Sequence, residues 1–184
     1  MTTEWSERIE QALRELIVGL KKERVRYCIV GALALGAWGQ PRATQDLDVL
    51  MVLEGKKRDH LLQALQNRGF SLDTEWADHN PMIRDKHVRL LWSGIPVDLM
   101  STRDDHDKNV LVRRRRVPLG PVPLWVAGPE DLILQKLKAG RPRDLEDSLS
   151  VIVRQGKRLN MKYLNRWARS LGVHEELTYL MEHS

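Results

Sequence analysis

The segment QDLDVLMVL, residues 45–53, sets two carboxylates one residue apart at the front of an apolar run. Such a run reads as a buried strand. Alternation along an extended chain puts Asp46 and Asp48 on one face, with Cα atoms ~6.6 Å apart. Two ionised carboxylates that close repel, and burial without a partner is strongly unfavourable or forces protonation. A hard divalent cation removes the conflict. Mg²⁺ (or Mn²⁺) prefers carboxylate oxygens together with substrate phosphate oxygens, and two ions ~3.5–4 Å apart can be bridged by such a pair.

A third acid completes a site of that kind. Asp98 is the lone charge in the apolar run IPVDLM, between Val97 and Leu99, which point to the other face. An isolated acid in a strand is otherwise disfavoured, and this one is a candidate third ligand or the base for an attacking hydroxyl. Upstream, the strand-like RVRYCIVG ends at Gly31. The backbone N–H groups that follow, from Gly31 and Ala32 at a helix start, can approach a phosphate closely.

Around these acids the periodicities alternate. Residues 4–22 carry Trp5, Ile9, Leu13, Leu16 and Leu20 at helical spacing. The piece ALALGAWG reads as a short helix stopped by Gly39 and Pro41. EGKK turns the chain, and Asp59 caps a helix through HLLQALQNR, closed by Gly69. FSLDTEW reads as a strand and ADHNPMIRDK as a loop. HVRLLWSGIPVDLM reads as a hairpin turning at Ser93-Gly94. STRDDHDKN reads as a charged loop. VRRRRVPL, Val112–Leu119, is the most basic segment; if extended, it puts alternate arginines on opposite faces. It leads into a second hairpin turning near Gly120, whose prolines confine it to a sheet edge. From Pro129 onward the patterns are helical only: PEDLILQKLKA, a helix from about Pro142, an Asn160-capped helix closed by Gly172, and a short final one. The order predicts an α+β fold, a mixed β-sheet with flanking helices and a helical tail. Residues 1–128 form the core and 129–184 a helical extension packed on it as one unit.

Composition narrows the class. Of 184 residues, 42% are hydrophobic and 30% charged, the balance of a folded soluble chain. The single cysteine, Cys28, excludes a disulfide framework and fits a reducing, cytoplasmic setting. No apolar run approaches the ~20 residues that span a bilayer, and the polar N-terminus is not a signal peptide. A net charge of +5 suits an anionic partner such as a nucleoside triphosphate or RNA. The P-loop and dinucleotide signatures are missing after Gly31, and the histidines show no zinc spacing.

A glycine turn, D-x-D at a strand start and a later strand acid, in that order, resemble the nucleotidyltransferase superfamily of the DNA polymerase β type. GALALGAWGQPRATQDLDVLMVL looks more closely like the AbiEii-like and related minimal nucleotidyltransferases. Many of those carry Gly-Ser or Gly-Gly where this chain has Gly31-Ala32, so a hydroxyl is missing here. The likeness continues through Lys136-Leu137-Lys138-Ala139 and Asp144-Leu145-Glu146-Asp147, and covers about residues 25–155. It implies a metal-dependent transfer of a nucleoside monophosphate from an NTP to an acceptor hydroxyl. Asp46, Asp48 and Asp98 then hold the metal, and Lys136, Arg141 and Arg143 face the triphosphate. Asp144 and Asp147 orient those cations. Arg42 and Thr44 share the face of Asp46 and Asp48 if the segment is extended, and Arg42 is read either as an ion-pair partner or as a phosphate contact. RNA, tRNA, a protein or a small molecule are open as acceptors, and membership of a toxin–antitoxin or abortive-infection pair is open as a setting. Two rivals stand beside this reading: an inactive nucleotide- or partner-binding module of the same fold, favoured by Ala32, and a D-x-D sugar-nucleotide transferase.

Overall fold

The computed structural model describes residues 3–52, 54–83, 85–119 and 122–184. Its frame is a seven-stranded mixed sheet in the order β3-β4-β5-β2-β1-β7-β6. The strands are β1 (Tyr27–Ile29), β2 (Leu47–Met51), β3 (Phe70–Leu72), β4 (His87–Trp92), β5 (Ile95–Ser101), β6 (Arg115–Leu119) and β7 (Val122–Val126). The central pair β2 and β5 runs parallel, as does β1 with β7, and the other neighbours are antiparallel. The central strands carry the apolar runs, because both of their faces are covered. Leu47, Val49, Met51, Val97 and Leu99 are fully buried.

Nine helices flank the sheet among the described residues: α1 (Thr3–Lys22), α2 (Gly31–Trp38), α3 (Gly55–Gln66), α4 (Thr74–His79), α5 (Asp105–Arg113), α6 (Pro129–Ala139), α7 (Pro142–Gln155), α8 (Met161–Leu171) and α9 (His174–Glu182). The α1 stripe of Ile9, Leu13, Leu16, Ile17 and Leu20 is buried, with α1 packed on α3 and β5; the side chain of Trp5 lies outside the described residues. Helix α2 sits on β2, α6 and α7. Its C-terminal carbonyls are taken by α7: Gln155 donates to Trp38 O at 2.7 Å, and Arg154 donates to Gly39 O. Those bonds tie the segment before Asp46 to the helical tail. Helix α6 begins at Pro129 with two acids in its first turn, and both are buried and matched. Arg113 reaches Glu130 and Asp131 at 3.2 and 3.1 Å. No helix among the described residues is long and apolar enough to cross a membrane.

Four local expectations are corrected. Asp59 lies inside α3, which starts four residues earlier at Gly55. FSLDTEW is a strand only to Leu72; the Asp73 side chain accepts from Trp76 N at 2.9 Å and starts α4. STRDDHDKN enters α5, because Asp104 caps it by accepting from Asp107 N at 2.8 Å. Asp-x-x-Asp is a capping signature that the density of charge obscured. The arginine run is therefore not extended throughout: Arg113 ends α5, and only Arg115 and Arg116 belong to the edge strand β6. The turn at Gly120 lies outside the described residues. At the other hairpin Ser93 and Gly94 both take positive φ, 47° and 81°, the geometry of a two-residue turn matched to strand twist.

Candidate active site

Register assembles the acids. Parallel pairing places Asp48 of β2 directly beside Asp98 of β5, and antiparallel pairing places Arg89 of β4 on the far side of Asp98. In-register neighbours share a face, so Arg89, Asp98 and Asp48 form one row across three strands. Asp46 joins from the residue before β2. One carboxylate oxygen from each of Asp46, Asp48 and Asp98 lies within 4.8 Å of the others.

Gly31 is shaped by the same row. Its φ is +62°, and a Cβ there would lie 1.9 Å from Asp48 Oδ2. Glycine is required both for the turn and to leave room for that carboxylate. Helix α2 starts at Gly31 with Val30 as an extended, uncapped N-cap, so side chains leave its first N–H groups open. Gly31 and Ala32 border a cavity of about 1030 Å³ together with Asp46, Asp48 and the cationic residues of α6 and α7.

Those cations are held by their own acids. Lys136 is only 4% exposed, and its ammonium donates to Asp144 Oδ1 at 2.9 Å and Asp147 Oδ2 at 2.7 Å. Arg42 donates to Asp147 at 3.1 Å, so it turns to α7 and not along the Asp46 face. Arg141 donates to Asp144 at 2.7 Å and closes a capping box at the start of α7. Arg143 borders the same cavity on the exposed first turn of α7, with no ion-pair partner among the described residues. Thr44 is 2.9 Å from both the carbonyl and Oδ1 of Asp46, fixing the loop before the strand.

The electrostatics differ from acid to acid. Burial, then Asp46 and Asp98, push the Asp48 carboxyl from its ordinary 3.8 up to about 6, against the pull of Lys136 and Arg141. Burial also raises Asp98, but hydrogen bonds from His87 and Arg89 outweigh it and hold that carboxyl below the ordinary range. Asp98 Oδ1 receives Arg89 Nε at 2.8 Å and His87 Nε2 at 2.9 Å, and Oδ2 receives Arg89 Nη2 at 2.8 Å. A carboxylate offers about four acceptor positions; three are used, and the one left is on Oδ2.

The described structure brings the ten predicted residues to one place: all but Asp98 border the larger cavity, and Asp98 stands beside Asp48 in the sheet. Arg89 and His87 were not singled out from sequence. Their signal was the H-x-R alternation in HVRLL, which puts both on one face of β4, but only the register with β5 shows that this face meets Asp98. The donor set is all oxygen and carries unrelieved negative charge at Asp48, which fits a hard divalent cation.

No curated protein matches the chain by sequence at a significant level. Solved structures match the fold. The antibiotic-resistance factor ANT(2'')-Ia in solution superposes with a TM-score of 0.61 at 12% identity, over 95% of this chain and 97% of that one. Its crystal structure with adenylyl-2''-tobramycin gives 0.61 at 13% identity, over 92% and 98%. An antigenic nucleotidyltransferase-like protein from Paracoccidioides brasiliensis gives 0.53 at 16% identity, over 94% and 92%. Residues 7–180 match the family described as "Nucleotidyltransferase of unknown function (DUF6036)", and the chain belongs to that family.

Proposed function

We propose that the protein transfers a nucleoside monophosphate from an NTP to an acceptor hydroxyl with the help of Mg²⁺ (or Mn²⁺). The observation that carries this reading is the in-register pair Asp48 and Asp98, which sets three carboxylate oxygens within 4.8 Å beside the open start of α2. Asp46 and Asp48 are the principal metal ligands. Bound there, the cation supplies charge neutralisation for the triphosphate and polarises the α-phosphorus. The N–H groups of Gly31 and Ala32 receive phosphate oxygens, a role that helix starts suit and that needs no hydroxyl from residue 32. Arg141 and Arg143 line the opposite wall and bind the outgoing pyrophosphate, while Lys136, with two carboxylates already on it, sets the positive background of that wall.

Asp98 has one open acceptor position and so fills one role at a time, third ligand or base. As base, its Oδ2 takes the hydroxyl proton. The hydroxyl oxygen bonds to the α-phosphorus, the bond from phosphorus to the bridging oxygen breaks, and pyrophosphate leaves with that electron pair. On this reading residues 1–128 supply the acids and residues 129–184 the cationic wall, so neither part works alone. The AbiEii-like kinship and a toxin–antitoxin setting rest on the quoted motifs, and the acceptors RNA, tRNA or protein stay candidates.

The test is incubation with labelled NTPs and Mg²⁺ over a panel of acceptors, with Asp46→Ala and Asp48→Ala in parallel. Label transfer that disappears in both variants is the expected outcome; transfer that survives both ends the assignment. Saturable, Mg²⁺-dependent NTP binding with no transfer to any acceptor favours the second reading, a nucleotide-binding module, for which the pinned Asp98 and the hydroxyl-free Ala32 are the observations.

A further inference from the structure

A second cavity, of about 450 Å³, adjoins the first. The two share Gly31, Asp46, Asp48, Lys136 and Arg141, but only the second reaches Asp98, Arg89, Arg103 and Gln135. We propose that it receives the acceptor, and that the acceptor is a hydroxyl compound bearing a phosphate group, not a polyamine. This rests on the nucleotidyl-transfer reading of the first cavity.

A guanidinium has five N–H donors. Arg89 spends two on Asp98, at 2.8 Å each. Arg103 spends two on the buried Asp107, at 2.9 and 3.5 Å. Each keeps three donors without a partner among the described residues, and each is fixed in place by its carboxylate. Fixed guanidinium donors suit a phosphate, which accepts two parallel bonds from such a fork.

The acids tell the same story from the other side. The carboxylates bordering this cavity are Asp46, Asp48 and Asp98. The first two are assigned to the metal, and the third is covered by Arg89 and His87. A polyamine would find a single open acceptor position there, on Asp98 Oδ2, and its ammonium groups would meet Arg89 and Arg103. One neutral acceptor atom completes the site: Gln135 Oε1 is buried and has no hydrogen-bond partner among the described residues. Such an atom is costly unless a ligand donates to it, and a second hydroxyl of the acceptor is the donor that fits. Val30, Met100 and Leu132 add apolar wall, so the volume suits one sugar-phosphate unit, free or at the end of an RNA strand.

Titration calorimetry with Mg²⁺ and non-transferable α,β-methylene analogues of the NTPs tests this. The probes are ribose, ribose 5-phosphate, a short RNA with a free 3′-hydroxyl, and tobramycin as the polyamine. We expect ribose 5-phosphate or the RNA to bind at least tenfold tighter than ribose, and tobramycin to show no saturable binding. Preference for ribose 5-phosphate identifies a small phosphorylated acceptor, and preference for the RNA a strand end. Arg103→Gln should cut the preference below threefold, while Arg103→Lys, which keeps the charge and guards against a folding artefact, should retain part of it. Equal binding of ribose and both phosphate-bearing probes, or saturable tobramycin binding, overturns the proposal. If the analogues themselves fail to bind with Mg²⁺, the nucleotide reading falls and this proposal with it; if they bind and the phosphate-bearing probes do not, this proposal alone falls.

Discussion

Asp46, Asp48 and Asp144 border the same cavity, Asp147 holds two of its cations from behind, and the two pairs of aspartates are treated in opposite ways. Asp144 and Asp147 on α7 are each bound by two cations, Lys136 with Arg141 and Lys136 with Arg42. Burial raises both carboxyls, but those hydrogen bonds outweigh it and hold them below the ordinary range. Asp46 and Asp48, two residues apart at the start of β2, have no such cationic partner among the described residues; Asp46 is met by Thr44, and Asp48 is pushed up to about 6. Acids whose charge is matched within the fold support its structure. Acids left to repel one another at a cavity mark a place where charge must come from outside.

The largest expected effect separates the two groups by activity and stability at once. On the proposed reading, Asp48→Asn should lower transfer by about 1000-fold or more, because it would remove a metal ligand. The same change should raise the melting temperature of the metal-free protein, since it removes a repelled charge. Asp147→Asn should lower that temperature. A parallel drop in both variants, measured in EDTA, would erase the distinction.

Next in size is the lysine that joins the two halves of α7's acid pair. Lys136→Met keeps the length of the side chain but leaves two buried carboxylates short of a cation. Breaking a buried pair in this way costs about 3–5 kcal/mol. Chemical denaturation at neutral pH should show it as a lowered midpoint with an unchanged slope. A loss near zero would mean that Arg42 and Arg141 suffice, and that Lys136 is spare charge for a ligand.

Much of this was legible in sequence because it is local. The D-x-D spacing, the glycine after an apolar strand, the proline start of α6 and the Asn160 and Gly172 caps of α8 each need only neighbouring residues. The mixed sheet and helical tail followed from the same periods. What stayed hidden depends on pairing between distant strands. Nothing in HVRLL says that Arg89 will face Asp98; that is fixed by register with β5. Nothing near Arg42 says that its partner will be Asp147, which is brought close by α7 clasping the end of α2. Gly31 was legible as a turn, but its second reason, room for Asp48 Oδ2, needed the fold.

That second reason gives a smaller and more specific prediction. Gly31→Ala must adopt a left-handed φ, at about 1–2 kcal/mol, and must also displace the Asp48 carboxylate. The total should be about 2–3 kcal/mol. In an Asp48→Ala background the collision with the carboxylate is gone, and the backbone cost and a tight 3.1 Å contact with the Cβ of residue 48 remain. A double-mutant cycle should therefore show coupling of about 1 kcal/mol. Strict additivity would place the two side chains further apart than they stand here.

The smallest effect is the pH dependence, and its two limbs come from the two groups. Asp48 has a raised folded value, so its contribution is fully present below the ordinary 3.8 and is lost as pH climbs through about 6. The loss is of order 2–3 kcal/mol from the size of that shift. Asp144 and Asp147 have lowered values, so their contribution is present above the ordinary carboxylate range and is lost as pH falls below it. Metal-free stability should therefore peak near pH 4 and decline from there to about pH 6. On the proposed reading Mg²⁺ would bind the ionised form of Asp48, so it should remove the upper decline and bind more tightly as pH rises from 5 to 7. Asp48→Asn isolates the aspartate's share. Melting curves in EDTA that decline between about pH 4 and 6 equally with and without Asp48 would assign that limb to other groups, and would leave the carboxylate pair without the unrelieved charge on which the contrast with α7 depends.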